Sequence, residues 1–588
     1  MFQSNNLRLI LEGEDTLKFT DIFDGDSIVI PQRHLMLPIV GDTVIIPQSV
    51  QLETDEFGIT LCYQFEQDLF KDYCVRLTQK GKYFELSANF RVIKGCMLNG
   101  ISILPKDTIV NLHKVLNYRN QHCTEQTYPD FILGDEIDTT TYSSDWQFAP
   151  HPSMYTFTKN DCNVIFGALS LPKSFGLDLK VAGYKLEKFT ENYGIGEYGL
   201  KLQEGEEFIS TTFALYADYF MRPEESVKRH SELLVEEHYI PDPKMKQRYP
   251  WHRGNLYCTW IDQGYLSDTV IPNDLHKQIE ITLDAGKAVS DEMVRKAVEI
   301  IEREKLPFTT ILIDMGWAVR GEWVADPARF SDFRSLVDFL HAKGFKVVVW
   351  WNWAEIDNDA DIKSQFMVDG GAMNKHNQRT IDFSNPETQE GYFKPLFRRL
   401  FSDEAGCYNI DGVKTDFLSD KIYPEINLCD PSWRGEENYF YKIFKMFYEE
   451  MRSYKPDAVH IGCAGHPYLA QFIDINRTYD IWSTNPLEHV NRGNMLKATS
   501  IGVPVAYDFH HFMDNLELYL QYAIKNNCSV QIGNVMGVKA YPVSAWQATD
   551  QKYFDILRTY LPLLPRKNEP CTGENGDERR RMPYESDN

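Results

Sequence analysis

Ile410-Asp-Gly-Val-Lys-Thr-Asp-Phe-Leu-Ser-Asp420 decides the fold. Ile410, Gly412 and Val413 suit a strand packed on both faces, and Lys414 and Asp416 stand at its carboxyl end. Residues two apart on a strand point to the same side, so the lysine and the aspartate share a face. Charged side chains are rarely fully buried unless paired. The stretch therefore reads as a buried strand that delivers a Lys–Asp pair to one end of a sheet. That pair is either a structural ion pair or part of a catalytic site.

Working outward, the same kind of strand recurs. Asn255–Ile261, Thr309–Asp314, Phe345–Trp351, Ile410–Asp416, Ala458–Gly462, Thr478–Trp482, Val503–Asp508 and Ser529–Gly533 give eight strand candidates over about 280 residues. Most have a helical segment between them. Ser290–Lys305 carries Met293, Val294, Ala297, Val298 and Ile301 on one face, and Ser331–Lys343 opens with a capping serine and stops at Gly344. Further helices are expected over Thr388–Phe401, Asn438–Tyr454, Leu516–Lys525 and Gln551–Leu564. Apolar strands alternating with helices imply a parallel sheet covered on both faces. Eight such units fit a (β/α)8 TIM barrel. A doubly wound open sheet is the rival, but no G-x-G-x-x-G follows a strand.

The chain before residue 222 has a different texture. Short strands broken by Gly, Asp, Asn and Pro, such as Ile59–Phe65, Tyr83–Ile93 and Glu207–Tyr219, imply an antiparallel β-sandwich. The expected organisation is a sandwich over 1–221, a helical linker over 222–250 opened by Pro223, the barrel over 251–565, and a polar, disordered tail over 566–588.

The chain has 588 residues, a net charge of −24 and 13% aromatic residues. That charge argues against a basic nucleic-acid surface. The aromatic content suits sugar faces stacking on rings, or simply a chain rich in sheet. Eleven cysteines are scattered without a C-x-x-C pair, so neither a disulfide framework nor a zinc site is expected. The N-terminus shows no basic and apolar leader, and no apolar run is long enough to span a bilayer. The expectation is a cytoplasmic protein without membrane contact, cofactor or metal; a homo-oligomer is compatible with the sequence.

Barrel chemistry sits at the carboxyl ends of the strands. Those ends carry Asp262, Asp314, Trp317, Trp351, Trp353, Glu355, Lys414, Asp416, Cys463, Arg477, Asp480 and Asp508. No Ser-His-Asp order, phosphate loop or histidine cluster competes with these carboxylates. Glycoside cleavage uses two carboxyl groups, one attacking the anomeric carbon and one moving a proton. Lys414 would keep Asp416 ionised, as a nucleophile requires. The apolar neighbours of Asp480 would raise its pKa towards an acid role, against the pull of Arg477.

Four motifs in this order resemble the melibiase-type α-galactosidases of glycoside hydrolase families 36 and 27, and more distantly the family 31 α-glucosidases and α-xylosidases. They are Ile313-Asp-Met-Gly-Trp317 with Gly321-Glu-Trp323 and Asp326–Phe330, then Trp350–Glu355, then Lys414-Thr-Asp416, then Arg477-Thr-Tyr-Asp480. An N-terminal sandwich fits family 36, and Cys463-Ala-Gly matches its fifth strand loosely. The resemblance implies a retaining glycosidase with Asp416 as nucleophile and Asp480 as general acid/base. It implies sugar contacts from Asp314, Lys414, Cys463 and Arg477, with walls from Trp317, Trp351 and Trp353. The implied substrates are oligosaccharides or glycosides with terminal α-galactose; α-glucosides, α-xylosides and α-N-acetylgalactosaminides are alternatives, as is a barrel that binds sugar without cleaving it. Three departures stand out. Met315 replaces the second aspartate of D-D-G-W, Glu355 lacks a following proline, and the family's C-terminal β-domain is expected to be missing.

Overall fold

A computed structural model carries the side chains. It describes residues 1–564 apart from 14–15, 22–24, 32, 111–113, 118–129, 133–136, 139–153, 160–161, 195, 220–222, 268–284, 354–355, 358–359, 372–378, 417–426, 463–465, 479–484, 511 and 540–545. The expected tail over 566–588 lies outside the described residues.

The N-terminal region is a sandwich of two antiparallel sheets. One runs from the edge strand Phe2–Ser4 through Leu7–Glu12, Thr16–Asp21 and Gly25–Ile30 to the later strands Lys185–Asn192 and Cys96–Ser102. The other centres on the pair Phe70–Lys80 and Tyr83–Val92, with Phe213–Tyr219 alongside. Alternation is clean: Leu7 and Leu9 are buried while Arg8 and Ile10 are partly exposed. This is the pattern of strands with one face on a core and one in water. Phe19 from the first sheet meets Phe84 from the second edge-on at 5.9 Å.

Eight parallel strands close into a barrel: β1 Leu256–Cys258, β2 Thr310–Ile313, β3 Lys346–Trp351, β4 Gly412–Thr415, β5 Val459–Gly462, β6 Ile475–Arg477, β7 Val505–Tyr507 and β8 Ser529–Ile532. β8 pairs back onto β1, with Leu256 beside Gln531. Each strand has a buried inner and outer side because helices cover the outside. Val348 joins the interior cluster and Val347 and Val349 the helical layer.

Three expectations are corrected. The sixth strand was expected over Thr478–Trp482 and is instead Ile475–Arg477. Asn476 and Arg477 break the apolar run there, so the segment reads as a loop. Trp260 and Asp262 were expected at the end of strand one, but they open a short helix, Trp260–Leu266. A smaller correction concerns Phe333–Ala342, which is capped by Asp332 rather than Ser331; its carboxylate accepts from the Ser335 N–H at 2.9 Å.

Helix Pro223–Glu236 joins the two regions. Val227, Leu233 and Leu234 pack between Tyr83, Ile165 and Tyr216 of the sandwich and Tyr468, Met495 and Ala498 of the barrel. The Tyr468 hydroxyl donates to the sandwich carbonyl of Leu169 at 2.7 Å. Gly435, at φ 98°, lies so close to Lys173 that an added Cβ would stand 2.3 Å from its carbonyl oxygen. Only glycine fits that approach.

Candidate active site

The Lys–Asp pair of β4 lies at the carboxyl mouth of the barrel, as strand order requires. Lys414 donates to Asp314 of the β2 loop at 2.6 Å and stands 4.0 Å from Asp416. Both carboxylates and the ammonium are nearly closed off from water, with Asp416 the most open of the three at 7% exposure. Burial works against the lysine charge. The anions around it, Asp314 foremost, outweigh burial and hold its pKa above the ordinary lysine value. Asp314 is itself oriented: its N–H donates to the Thr259 hydroxyl, and its carboxylate accepts from the Met315 N–H at 2.8 Å and the Cys258 thiol at 3.1 Å.

Asp416 is held on both oxygens. Arg477, at the end of β6, donates to Oδ1. The Trp350 indole N–H, at the end of β3, donates to Oδ2 at 3.1 Å. The other arm of the Arg477 guanidinium donates to Asp508, just past β7. One fully buried arginine thus joins two carboxylates from different strands. Three carboxylates, one ammonium and one guanidinium leave a net charge of −1 when all are ionised, since −3 + 2 = −1. Charge-assisted bonds of this kind are stronger than neutral ones and fix geometry.

The residue between the pair does the anchoring. Thr415 points away from the mouth, and its hydroxyl meets His460 Nε2 at 2.8 Å. His460 Nδ1 lies 2.6 Å from the Phe472 carbonyl, which can only accept. Nδ1 therefore carries the proton, Nε2 accepts, and Thr415 donates. Burial pushes the His460 pKa down to about 4, so the ring is neutral and the bond persists at neutral pH. Gly316, at φ 102°, brings the β2 loop against Gly286, where a side chain would collide with the Gly286 carbonyl.

The tryptophans divide by strand parity. Trp350 faces the mouth. Trp351, one residue on, faces the helices and packs edge-on against Phe397 and Phe447 at 5.4 and 5.2 Å. Trp317 stacks on Phe333 at 5.0 Å and donates to the Trp350 carbonyl at 2.8 Å. Trp353 packs against Tyr439 and Phe440. The expected walls Trp317, Trp351 and Trp353 are thus all closed into aromatic packing, with Trp317 supporting Trp350 from behind. Sequence reasoning left Trp350, Cys258 and Thr259 out of the site, and left Asp508 without a partner. The parity of Lys414 and Asp416, carried across the sheet register from Trp350 to Lys414, could have found Trp350. Asp480 and Cys463 lie outside the described residues, as does Glu355. Among the described residues no group of three or more His, Cys, Asp or Glu side chains could hold a metal ion, and no helix is long and apolar enough to cross a membrane.

With this geometry in place, comparison with known proteins is informative. Residues 281–495 match the family model for the glycosyl hydrolases family 31 TIM-barrel domain. No curated protein matches the sequence. Among solved structures, the α-N-acetylgalactosaminidase of Bifidobacterium bifidum in complex with GalNAc superposes with a TM-score of 0.60 at 11% identity, covering 96% of this chain and 92% of that one. The α-galactosidase of Lactobacillus brevis gives 0.56 at 11% identity over 93% and 74% of the two chains. The family 36 α-galactosidase AgaA of Geobacillus stearothermophilus gives 0.54 at 11% identity over 95% and 75%. At such identities the structures speak for the fold, and the family model speaks for the barrel. The chain carries a glycoside hydrolase TIM barrel behind an N-terminal β-sandwich.

Proposed function

We propose that this protein is a retaining α-glycosidase that hydrolyses terminal, non-reducing α-linked sugars. The observation that carries this reading is the Asp416 carboxylate. It stands at the barrel mouth between the Arg477 guanidinium and the Trp350 indole, with Lys414 4.0 Å away. Donors on both oxygens and a nearby ammonium favour the ionised form that a nucleophile needs. In the first step an Asp416 oxygen bonds to the anomeric carbon. The glycosidic bond breaks, and its oxygen leaves with a proton from Asp480. In the second step Asp480 takes a proton from water, whose oxygen attacks the same carbon and releases Asp416. The role of Asp480 rests on the Arg477-Thr-Tyr-Asp480 motif.

α-Galactosides rank first as substrates on the family 36 resemblance and on the α-galactosidases of like fold. A second reading, α-glucosides or α-xylosides, is favoured by the family 31 match over 281–495 and by Met315 in place of an aspartate. α-N-Acetylgalactosaminides come third, on the Bifidobacterium bifidum fold relative. A panel of aryl α-glycosides, with the product anomer followed by NMR, separates these readings. The α-anomer is expected to appear first from one of the sugars. A β-anomer as first product overturns the double displacement, and no hydrolysis of any of them leaves the non-cleaving, sugar-binding barrel as the better account.

A further inference from the structure

Two lysines are buried among the described residues, and they have opposite surroundings. Lys414 has the Asp314 carboxylate at 2.6 Å. Lys539 is 4% exposed and has an aromatic face: its ammonium lies 4.8 Å from the centre of the Trp546 ring. Among the described residues no carboxylate or other acceptor pairs with that ammonium. Burial alone acts on it and pushes its pKa down to about 8. A cation so largely removed from water without a counter-charge is costly. A ring face offsets part of that cost.

The position of Lys539 is built, not incidental. It ends the strand Gly537–Lys539, which pairs with Trp546–Ala548 just beyond β8. Asp262, fully buried, accepts from the backbone N–H groups of Val535, Met536 and Gly537 at 2.9, 3.0 and 3.1 Å. The Met513 N–H donates to the Lys539 carbonyl at 3.0 Å, which ties the hairpin to the loop that leaves β7 after Asp508. Val538 is buried in the helical layer, so by alternation Gly537 and Lys539 face the other way. Trp546 packs against the interior cluster that contains Ile261 and Phe509, and Phe509 lies 5.4 Å from the Lys414 ammonium. A continuous set of contacts thus links Lys539 to the site at the same end of the barrel.

We propose that Lys539, held over the Trp546 ring, forms a subsite for an anionic group on the substrate, its ammonium taking an oxyanion. This deepens the glycosidase reading and rests on it. Two sources supply that chemistry: the carboxylate of a uronic acid or the phosphate of a phosphorylated sugar. Either would give the ammonium the anionic partner that no described residue supplies.

Calorimetric titration of the whole protein with galacturonate, galactose 6-phosphate and galactose, and with the matching gluco sugars, tests this without relying on turnover. One anionic sugar is expected to bind about tenfold more tightly than its neutral counterpart, the scale of one charge-assisted bond. The preference is expected to shrink as salt rises from about 0.05 M to about 0.5 M. Lys539→Met should bring the ratio near one, and Lys539→Arg should keep most of it. A carboxylate preference identifies uronates, and a phosphate preference identifies phosphosugars. Equal binding of anionic and neutral sugars by the unmodified protein overturns the proposal even if Lys539→Met fails to fold. So does an anion preference that survives Lys539→Met. Hydrolysis of neutral aryl α-glycosides combined with equal binding would sink this subsite and leave the glycosidase reading standing.

Discussion

The two ends of the barrel use the same residue types to opposite effect. At the closed end, Asp411 precedes β4 and accepts from His341 at 2.7 Å, from Lys346 and Lys455 at 3.2 Å, and from the Val347 N–H at 2.9 Å. Asp474 precedes β6 and meets Lys246 at 3.1 Å, Arg452 and the Tyr448 hydroxyl at 3.0 Å, and the His460 N–H at 2.9 Å. Burial would raise both carboxylates, but these partners outweigh it and hold both well below the usual range. At the mouth, Asp416 stands five residues after Asp411, at the other end of β4, since 416 − 411 = 5. Its ligands are an arginine shared with Asp508, an indole and a more distant lysine. At the closed end cations outnumber anions around each aspartate, and the cluster locks helices to strands. At the mouth anions outnumber cations, which leaves a carboxylate with reactivity to spare.

That contrast is sharpest if one aspartate from each end of the barrel is changed separately. Asp416→Asn is expected to lower hydrolysis of an activated aryl α-glycoside by about a thousandfold or more, with a small change in melting temperature. Near-full activity would falsify the nucleophile assignment. Asp474→Asn should do the reverse and cost about 3–5 kcal/mol, because it leaves the half-buried Lys246 and Arg452 beside a neutral amide. Urea denaturation reads this directly, and a loss under about 1 kcal/mol would erase the proposed division between the ends. Arg477→Lys keeps the charge but cannot reach Asp416 and Asp508 together. A fall of about a hundredfold in kcat is expected, with the pH profile shifted. An unchanged profile would mean that the arginine only fills space.

The pH dependence of stability separates the ends more gently. Asp411 and Asp474 have folded pKa values below their unfolded ones, so their contribution is complete above about pH 4 and drains away as pH falls further. His460 is depressed to about 4, so its contribution is complete above an unfolded value of about 6.5 and is lost between there and about pH 4. The urea midpoint should therefore decline from about pH 6.5 downward and fall faster below about pH 4. His460→Gln should lessen the upper part of the decline, which His460 shares with the similarly buried His230 and His510, and leave the steep part in place. A flat profile from neutral pH down to about 4 would contradict the buried neutral histidine.

Much of the barrel was legible because its strands are apolar runs between helices, and seven of the eight were expected within a few residues of where they lie. The sixth was missed because Asn476 and Arg477 carry a polar texture onto a strand that is nonetheless buried. In the sandwich the first strands, Phe2–Ser4 to Thr16–Asp21, were passed over, because they are short and carry charged residues such as Arg8, Glu12 and Lys18 between the apolar ones. The Lys414–Asp416 pair was readable from spacing alone. The choice between Trp350 and Trp351 was not, because a strand covered on both faces shows no polar side from which to read inward parity.

The sequence by itself determined the alternation of strands and helices, the sandwich ahead of them, and the residue types that strands β2, β4 and β6 deliver to one end. Only the tertiary structure decided their partners. It gave Arg477 both Asp416 and Asp508, turned Trp350 inward and Trp351 outward, and set Lys539 over the ring of Trp546. The reason is physical. Spacing along a strand fixes direction within one strand, whereas an ion pair depends on distance across several, and that distance exists only once the barrel has closed.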